Sequence, residues 1–414
     1  MRTLLTGNSS AAWAARLARV DYVPAFPITP QTEIIETLAS WIDRGEMPAH
    51  LVMLESEHSM ITAAGAPAAT GVRVFTATSS QGLLYGMEML YTTAGWRVPY
   101  VLVNVSRGLS SPITLEPYHN DVLAARDSGL LQIHCATCQE VLDSVVIAHR
   151  LAEDRRVRLP VLVNMDGFYL SFTREPVVIP TQAEADAFLP PFTSAGLGFG
   201  ASKPLSQGVA VLNSTAYSYF RYQAHLAASN ARAVYDEIAD RFFQTFGRNY
   251  PAIEAYRTED AELVFVMMGS FATKAKDAVD RLRLEGIAAG LVRPRLFRPF
   301  PAELIVRALK NIKAVAVIDQ NLAPGWGGIL HGEITSALYG QAGAPKIVAS
   351  FVGGLGGRNI SAGEFFEIAR MTRAAAEAGK TIPIHLLFTE EEMLEVRKLQ
   401  AIAHVERAQE VIQS

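Results

Sequence analysis

Short apolar segments alternate with amphipathic segments through most of the 414-residue chain. The strand-like segments are apolar at nearly every position, as in "YVLVNV" at 100–105 and "LPVLVNMD" at 159–166. Strands without a polar face must be buried on both sides, which is typical of parallel sheets covered by helices. The pattern therefore predicts an α/β fold built on parallel sheets.

The alternation is interrupted once, and the interruption predicts two domains and a tail. Residues 1–240 form the first predicted α/β domain, which includes an irregular excursion and leads through a linker helix to about residue 260. The alternation then restarts and predicts a second, smaller α/β domain at 261–385. We interpret residues 386–414 as a charged amphipathic helix that packs on the outside or on a partner.

Composition narrows the class of partner. Half of the residues are hydrophobic and 19% are charged, which indicates a folded chain with much buried surface. The net charge of −4 gives no reason to expect binding to nucleic acid or to an anionic membrane. The apolar runs are too short to span a bilayer, and polar residues and arginines interrupt the apolar part of the N-terminal segment, so that a cytoplasmic protein is expected.

A rigid loop precedes the first predicted long helix. In "PITP", Thr29 stands between Pro27 and Pro30. Proline restricts the residue before it to extended conformations, so Thr29 is expected to be extended, with Pro30 in the first turn of the helix. The Thr29 hydroxyl could then cap the helix, or the loop could bind the carboxylate of a substrate. The sequence leaves both interpretations open.

Two charged residues follow other predicted strands. Glu57 precedes the small-residue helix "MITAAGAPAAT", whose surface would allow a flat ring or another backbone to approach. Arg107 follows a buried strand, where its planar guanidinium suits a carboxylate or phosphate. A helix-capping acid and a surface arginine are the ordinary alternatives. Since the carboxyl ends of parallel strands converge, we expect Thr29, Glu57 and Arg107 to form one site for an acid substrate and a heterocycle.

Two further motifs predict structure and not chemistry. Cys135 and Cys138 form a CxxC pair with no second pair at zinc spacing, so we interpret them as structural cysteines. The glycine-rich segment "VGGLGGRN" at 352–359 has Asn359 at the third glycine position of the dinucleotide fingerprint. It is interpreted as a turn that permits close backbone approach, which argues against a nicotinamide dehydrogenase.

Several segments together carry a resemblance to a known family. In chain order they include "PAFPITPQTE", "ESEHSMITAAG", "VSRGLSSP", "HNDVLAARDSG" and "GGLGGRNI". These segments resemble the α subunit of the 2-oxoacid:ferredoxin oxidoreductases, typified by pyruvate:ferredoxin oxidoreductase. The resemblance implies a thiamine-diphosphate pyrimidine-binding domain followed by a smaller domain like the C-terminal domain of transketolase. It also implies oxidative decarboxylation of a 2-oxo acid to acyl-CoA and CO2.

The resemblance assigns roles to the three residues of the predicted site. In the family, the threonine of "PITP" lies at the substrate carboxylate, which implies this role for Thr29. The arginine of the "SRG" segment contacts the substrate, which implies Arg107. The glutamate of the "SE" segment faces the aminopyrimidine ring of thiamine, which makes Glu57 the catalytic and cofactor-binding residue.

Missing motifs indicate that the chain works with partners. It has no "GDG" motif for a Mg²⁺-diphosphate site, and its two cysteines cannot hold an iron–sulfur cluster. The resemblance therefore implies a β-type subunit with the diphosphate site, a γ-type subunit and a ferredoxin-like iron–sulfur subunit. A flavoprotein would be added where NAD is the final acceptor, and coenzyme A is the co-substrate. The alternative is a non-catalytic structural subunit, which would not need Glu57 or Arg107.

One position departs from the family pattern. The chain has Tyr118 in "YHND" where pyruvate enzymes carry an acidic residue. A larger aromatic lining would suit an aryl 2-oxo acid such as phenylglyoxylate, and otherwise the expected substrate is pyruvate. Tyr118 could equally serve packing.

Overall fold

The computed structural model describes residues 1–193, 202, 204–208 and 210–413, with side chains described as far as residue 404. The strands are β1 Arg2–Leu5, β2 Tyr22–Ala25, β3 His50–Met53, β4 Phe75–Thr78, β5 Val101–Ser106, β6 Leu131–His134, β7 Val161–Asp166, β8 Glu175–Val178, β9 Ile253–Tyr256, β10 Leu263–Val266, β11 Ala289–Pro294, β12 Leu296–Arg298, β13 Ala314–Asp319, β14 Ile347–Val352 and β15 His385–Leu386. The α-helices are α1 Gly7–Leu17, α2 Thr32–Asp43, α3 Glu57–Ala68, α4 Ser80–Tyr85, α5 Met87–Trp96, α6 Asn120–Ala124, α7 Cys138–Glu153, α8 Gln182–Phe188, α9 Ser214–Phe246, α10 Ala272–Leu284, α11 Ala302–Ala308, α12 Ile329–Leu338, α13 Ala362–Ala378 and α14 Glu390–Gln413.

The first sheet has the strand order β12-β6-β7-β5-β4, and the parallel pair β2-β3 adjoins β4 through a bridge between Tyr22 and Val74. Strands β4, β5, β7 and β6 are parallel, and every residue of β5 and β7 is buried. The chain runs from β2 outward to β3 and returns to β4 on the other side of β2. The carboxyl ends of β2 and β4 therefore flank a topological switch point, where ligands bind in open α/β sheets.

The second sheet has the order β15-β14-β13-β10-β11-β9, with β9 antiparallel and the other strands parallel. From β10 the chain goes first to β11 on one side and later to β13 on the other. A second switch point thus lies between the carboxyl ends of β10 and β13. The two sheets confirm the predicted α/β class with parallel sheets.

One strand crosses between the two predicted domains. β12 lies within the stretch predicted as the second domain, but it pairs antiparallel with β6 of the first sheet. Just before it, the buried guanidinium groups of Arg293 and Arg295 each lie 2.6 Å from Oε1 of Glu140 in α7. Burial alone would raise the pKa of Glu140, but the two guanidinium groups lower it to about 2. This charged cluster and β12 join the two sheets.

The irregular regions contain more regular structure than the sequence predicted. Within the excursion, β8 pairs antiparallel with β1, and α8 begins with a capping box between Thr181 and Glu184. Most of the Gly/Ser/Pro-rich part of that excursion lies outside the described residues. The linker helix is present as α9, which has 33 residues. Between β4 and β5 the chain forms two short helices, α4 and α5, which are separated at Gly86.

The tail is helical, as its sequence indicates. An ion pair between Arg358 and Glu392, 2.6 Å long, holds the first turn of α14, whereas the side chains of Leu394, Leu399 and Ile402 are more than half exposed. Among the helices in the described part of the chain, none is both long and apolar enough to cross a membrane.

Candidate active site

Glu57 is the first residue of α3, and the hydroxyl of Ser56 caps this helix by accepting the N–H of Ser59 at 3.2 Å. The residue is only 5% exposed. Within the described ranges, its carboxylate has no hydrogen bond except with its own backbone N–H. Burial raises the pKa of Glu57 above its usual value, and this backbone contact opposes the effect. A carboxylate in the first turn of a helix is usually solvated, whereas this one is buried without a side-chain partner and is therefore available to bind a ligand.

The space around the carboxylate depends on a glycine. A Cβ atom placed on Gly82, in α4, would overlap Oε1 of Glu57 and would lie 2.5 Å from Oγ1 of Thr78. The hydroxyls of Thr78 and Ser79 are buried and have no partner among the residues that the structure describes. Neither residue was predicted to be part of the site. Polar groups without partners inside a protein suggest that a ligand supplies the partner.

Arg107 follows β5 and is also only 5% exposed. Its Nε donates to the backbone carbonyl of Thr29 at 2.7 Å, and Nη1 donates to the carbonyl of Gly108 at 3.2 Å. No carboxylate forms an ion pair with it in the described part of the chain. Burial lowers the pKa of Arg107, and the charge of Asp121 opposes this shift. A buried cation without a counter-ion is a suitable binding group for an anion.

Thr29 lies beside Arg107, as the convergence of strand ends predicted. The structure rules out the helix-capping alternative for Thr29, and the expectation that Pro30 lies in the first turn was wrong, because α2 begins at Thr32 with Gln31 at the N-cap position. A turn closed by the bond from Gln31 N to the carbonyl of Ile28, 2.9 Å long, separates Thr29 from the helix. The Thr29 side chain is exposed and is not used for capping.

Tyr118 lies on the other side of this region and is half-buried. Its hydroxyl donates to the backbone carbonyl of Leu322 at 2.9 Å, in the loop after β13 of the second sheet. Burial raises the pKa of this hydroxyl. The contact agrees with the packing alternative for Tyr118.

Asp121, which was not predicted as a site residue, connects the ends of the neighbouring strands. Its fully buried carboxylate accepts hydrogen bonds from Ser106 Oγ at 2.5 Å, from Asn104 Nδ2 at 3.0 Å and from Ser80 N at 3.1 Å. Asn104 also donates to Asn164, its partner in the register of β5 and β7. Asp121 therefore holds β4, β5 and the loop that carries Arg107 in one arrangement.

Similar sequences identify the family of this chain. Residues 13–240 match the family described as pyruvate flavodoxin/ferredoxin oxidoreductase, thiamine diphosphate-binding. Residues 261–365 match the pyruvate:ferredoxin oxidoreductase core domain II. The chain belongs to the 2-oxoacid:ferredoxin oxidoreductases. It corresponds to their α subunit, as the motifs predicted.

Named relatives include subunits of two kinds of oxidoreductase. The pyruvate synthase subunit PorA of Methanothermobacter thermautotrophicus is 42% identical over 89% of this chain and 94% of the relative. The PorA subunit of Pyrococcus abyssi is 39% identical over 95% of this chain and the whole relative. The ketoisovalerate oxidoreductase subunit VorA of Pyrococcus horikoshii is 39% identical over 92% of this chain and 96% of the relative.

Two solved structures share the fold of the α subunit. One is the 2-oxoglutarate:ferredoxin oxidoreductase from Magnetococcus marinus with 2-oxoglutarate, coenzyme A and succinyl-CoA bound, at a TM-score of 0.69 and 19% identity. The match covers 90% of this chain and 65% of that one. The other is a split-gene transketolase, an inactive β4 tetramer, at a TM-score of 0.53 and 12% identity, covering 90% of this chain and 99% of that one. These likenesses support the predicted fold.

The other motifs of the α subunit lie where structural roles were predicted. Both cysteines of the CxxC pair are buried, and burial raises the pKa of each thiol. In the glycine-rich segment, Gly356 N donates to the carbonyl of Pro117 at 3.0 Å. A Cβ atom on Gly357 would lie 2.7 Å from a carboxylate oxygen of Glu116. The segment is thus a close backbone contact to the loop that precedes Tyr118.

Proposed function

We propose that this α subunit supplies half of an active site that converts a 2-oxo acid and coenzyme A to acyl-CoA and CO2, with Glu57, Thr29 and Arg107 as its working residues. The observation that carries the proposal is that two buried charged groups that form no ion pair lie near neighbouring strand ends: Glu57 lies beside Gly82 in the helix after β4, and Arg107 follows β5 and is bonded to Thr29 after β2. In the described ranges, the Glu57 carboxylate has no side-chain partner and no carboxylate lies within ion-pair distance of Arg107. A subunit with a purely structural role would gain nothing from either charge.

The surroundings of Glu57 fit a heterocyclic ring with a nitrogen that can be protonated. The carboxylate is buried, its pKa is raised, and the missing side chain of Gly82 leaves room for it. A carboxyl group whose pKa is raised in this way can exchange a proton with a ring nitrogen. Thiamine diphosphate, when bound, supplies the carbon nucleophile that attacks the keto group. Glu57 would hold the proton at the ring.

Arg107 and Thr29 would bind the carboxylate of the 2-oxo acid. The Nη2 group of Arg107 donates no hydrogen bond to a described residue, since Nε and Nη1 account for its two bonds. A charged hydrogen bond from Nη2 would contribute roughly 1.5–3 kcal/mol. The exposed hydroxyl of Thr29 would add a neutral one.

Pyruvate and 2-oxoisovalerate are the substrates that the relatives favour. Relatives about 40% identical are named as pyruvate synthase and ketoisovalerate oxidoreductase subunits, and the names give no support to an aryl substrate. The contact of Tyr118 with Leu322 also weakens the argument for an aromatic substrate lining. We therefore place small aliphatic 2-oxo acids ahead of phenylglyoxylate.

The remaining machinery would come from partner subunits. The two cysteines are buried and the sequence has no "GDG" motif, so the iron–sulfur clusters and the Mg²⁺-diphosphate site are assigned to other chains. We propose a β-type subunit for the diphosphate, a γ-type subunit and a ferredoxin-like subunit, with a flavoprotein if NAD is the final acceptor. The complex would be cytoplasmic.

The test is a substrate comparison on the complex purified with its partners. Pyruvate, 2-oxoisovalerate and phenylglyoxylate are each supplied with coenzyme A, thiamine diphosphate, Mg²⁺ and a one-electron acceptor dye. The expected result is acyl-CoA formation with the highest kcat/KM for an aliphatic 2-oxo acid. A preference for phenylglyoxylate would overturn the substrate assignment. Turnover of none of the three would overturn the proposed function.

A further inference from the structure

The connection between β5 and β6 of the first sheet occupies the second switch point. Residues 118–121, here called the junction segment, lie against the loop that follows β13. His119 N donates to the carbonyl of Gln320 at 3.0 Å, and Asn321 Nδ2 donates to Oδ1 of Asn120 at 3.0 Å. The hydroxyl of Tyr118 reaches the carbonyl of Leu322. Where open α/β sheets usually bind a ligand, this sheet holds part of its own chain.

The end of β10 contacts the same segment through Asp166. Nε2 of His119 lies 2.6 Å from Oδ1 of Asp166, at the end of β7. The other carboxylate oxygen accepts Ser270 N at 2.8 Å and also the hydroxyl of Ser270, which follows β10. All three residues are buried. The junction segment is therefore held from both strands that flank the second switch point.

The junction segment is also bonded to the neighbours of Arg107. Ser106 Oγ lies 3.0 Å from the carbonyl oxygen of Tyr118 and 2.5 Å from Oδ1 of Asp121, so its one proton is shared between these two acceptors. On the other side of Arg107, Gly108 N donates to the carbonyl of Glu116 at 3.1 Å. Displacement of the junction segment together with residues 116 and 117 would therefore move both chain neighbours of Arg107, Ser106 and Gly108, and Arg107 with them.

From this continuous set of contacts we infer that the second sheet clamps the junction segment and thereby sets the position of Arg107 for the substrate. Tyr118 is a positioning residue in this arrangement: its hydroxyl acts through the backbone and not on the 2-oxo acid. The inference rests on the proposed role of Arg107. It gives the second domain of the α subunit a function at a site to which it contributes no reacting group.

The first variant is Tyr118→Phe, which keeps the aromatic ring and removes only the bond to Leu322. Tyr235→Phe is the matched control, because the hydroxyl of Tyr235 donates to the carbonyl of Tyr250 at 3.0 Å in a buried region away from the site. In the complex, Tyr118→Phe should raise the KM for the 2-oxo acid about threefold to tenfold, as expected for one neutral hydrogen bond. Its affinity for thiamine diphosphate should stay unchanged. Tyr235→Phe should lower Tm without changing either value.

A second variant, Ser270→Ala, weakens the clamp from the side of the second sheet. It should also raise the KM for the 2-oxo acid. In the variant that combines Tyr118→Phe with Ser270→Ala, the fold-increase in KM should be smaller than the product of the two single increases, since both changes act through the junction segment. An unchanged KM in both single variants would overturn the clamp, as would an equal rise in KM in Tyr235→Phe. These outcomes are read in a complex that turns over 2-oxo acid, so they are distinct from a failure of the proposed function.

Discussion

Replacement of Glu57 by glutamine is the most direct test of the site, because it changes charge at nearly constant shape. The glutamine amide would fit the space beside Gly82 but could not exchange a proton with the ring nitrogen of the proposed thiamine cofactor. Loss of such acid–base help costs on the order of 10²–10⁴ in rate. Since burial raises the pKa of Glu57 and no ion pair is broken, removal of the charge should leave Tm unchanged or slightly higher.

The assay compares the wild-type complex with Glu57→Gln and with a matched control, Glu55→Gln. Glu55 lies two residues earlier, is exposed and is hydrogen-bonded to Ser59. Turnover, subunit assembly by size-exclusion chromatography and Tm are measured on each. We expect Glu57→Gln to assemble normally with 10²–10⁴-fold lower kcat, and Glu55→Gln to retain wild-type kcat. Near-normal turnover by Glu57→Gln would remove Glu57 from the chemistry.

Four further predictions concern the rest of the α subunit. Arg107→Ala should lower kcat/KM for the 2-oxo acid roughly 10–100-fold, and Thr29→Val should lower it less, with thiamine diphosphate affinity unchanged in both. Separate titrations of substrate and cofactor check this, and a change in cofactor affinity alone would contradict it. Gly82→Ala should abolish turnover, because its Cβ would displace the Glu57 carboxylate, whereas Gly95→Ala, with open space around its Cβ, should not; equal activity would contradict this. The purified chain without partners should not decarboxylate any 2-oxo acid with added thiamine diphosphate and Mg²⁺, and measured CO2 release would contradict the assignment of the diphosphate site to a partner. Burial alone would lower the pKa of His119, but Asp166 and nearby carboxylates raise it overall. The charged His119 therefore stabilises the fold fully below its unfolded pKa of about 6.5, and this stabilisation is lost as the pH rises through its folded pKa. The Tm difference between wild type and His119→Gln should shrink across this pH range, and a growing difference would contradict the ion pair.

The fold class and the proximity of Thr29 to Arg107 followed from local patterns. Strands that are apolar at nearly every position must be buried on both faces, so parallel sheets could be predicted from segments such as those of β5 and β7. Because the carboxyl ends of parallel strands meet, Thr29 and Arg107 were predicted to lie together, and the bond between them confirms their proximity. The expectation that Pro30 lies in the first turn of the helix failed because of one turn. The turn that begins at Ile28 places the start of α2 at Thr32 and leaves Thr29 outside the helix.

The amino-acid sequence by itself thus determined the layered α/β architecture and the approach of Thr29 to Arg107, since burial and strand direction are local properties. The tertiary structure alone decided that Gly82 lies against Glu57, that β12 joins the first sheet and that Tyr118 is bonded to Leu322. These partners are far apart in the chain, 204 positions in the last case. No local pattern specifies such pairs. The contact of Gly82 with Glu57 depends on how α3 and α4 pack within the first domain, and the other two depend on how the two sheets pack against each other.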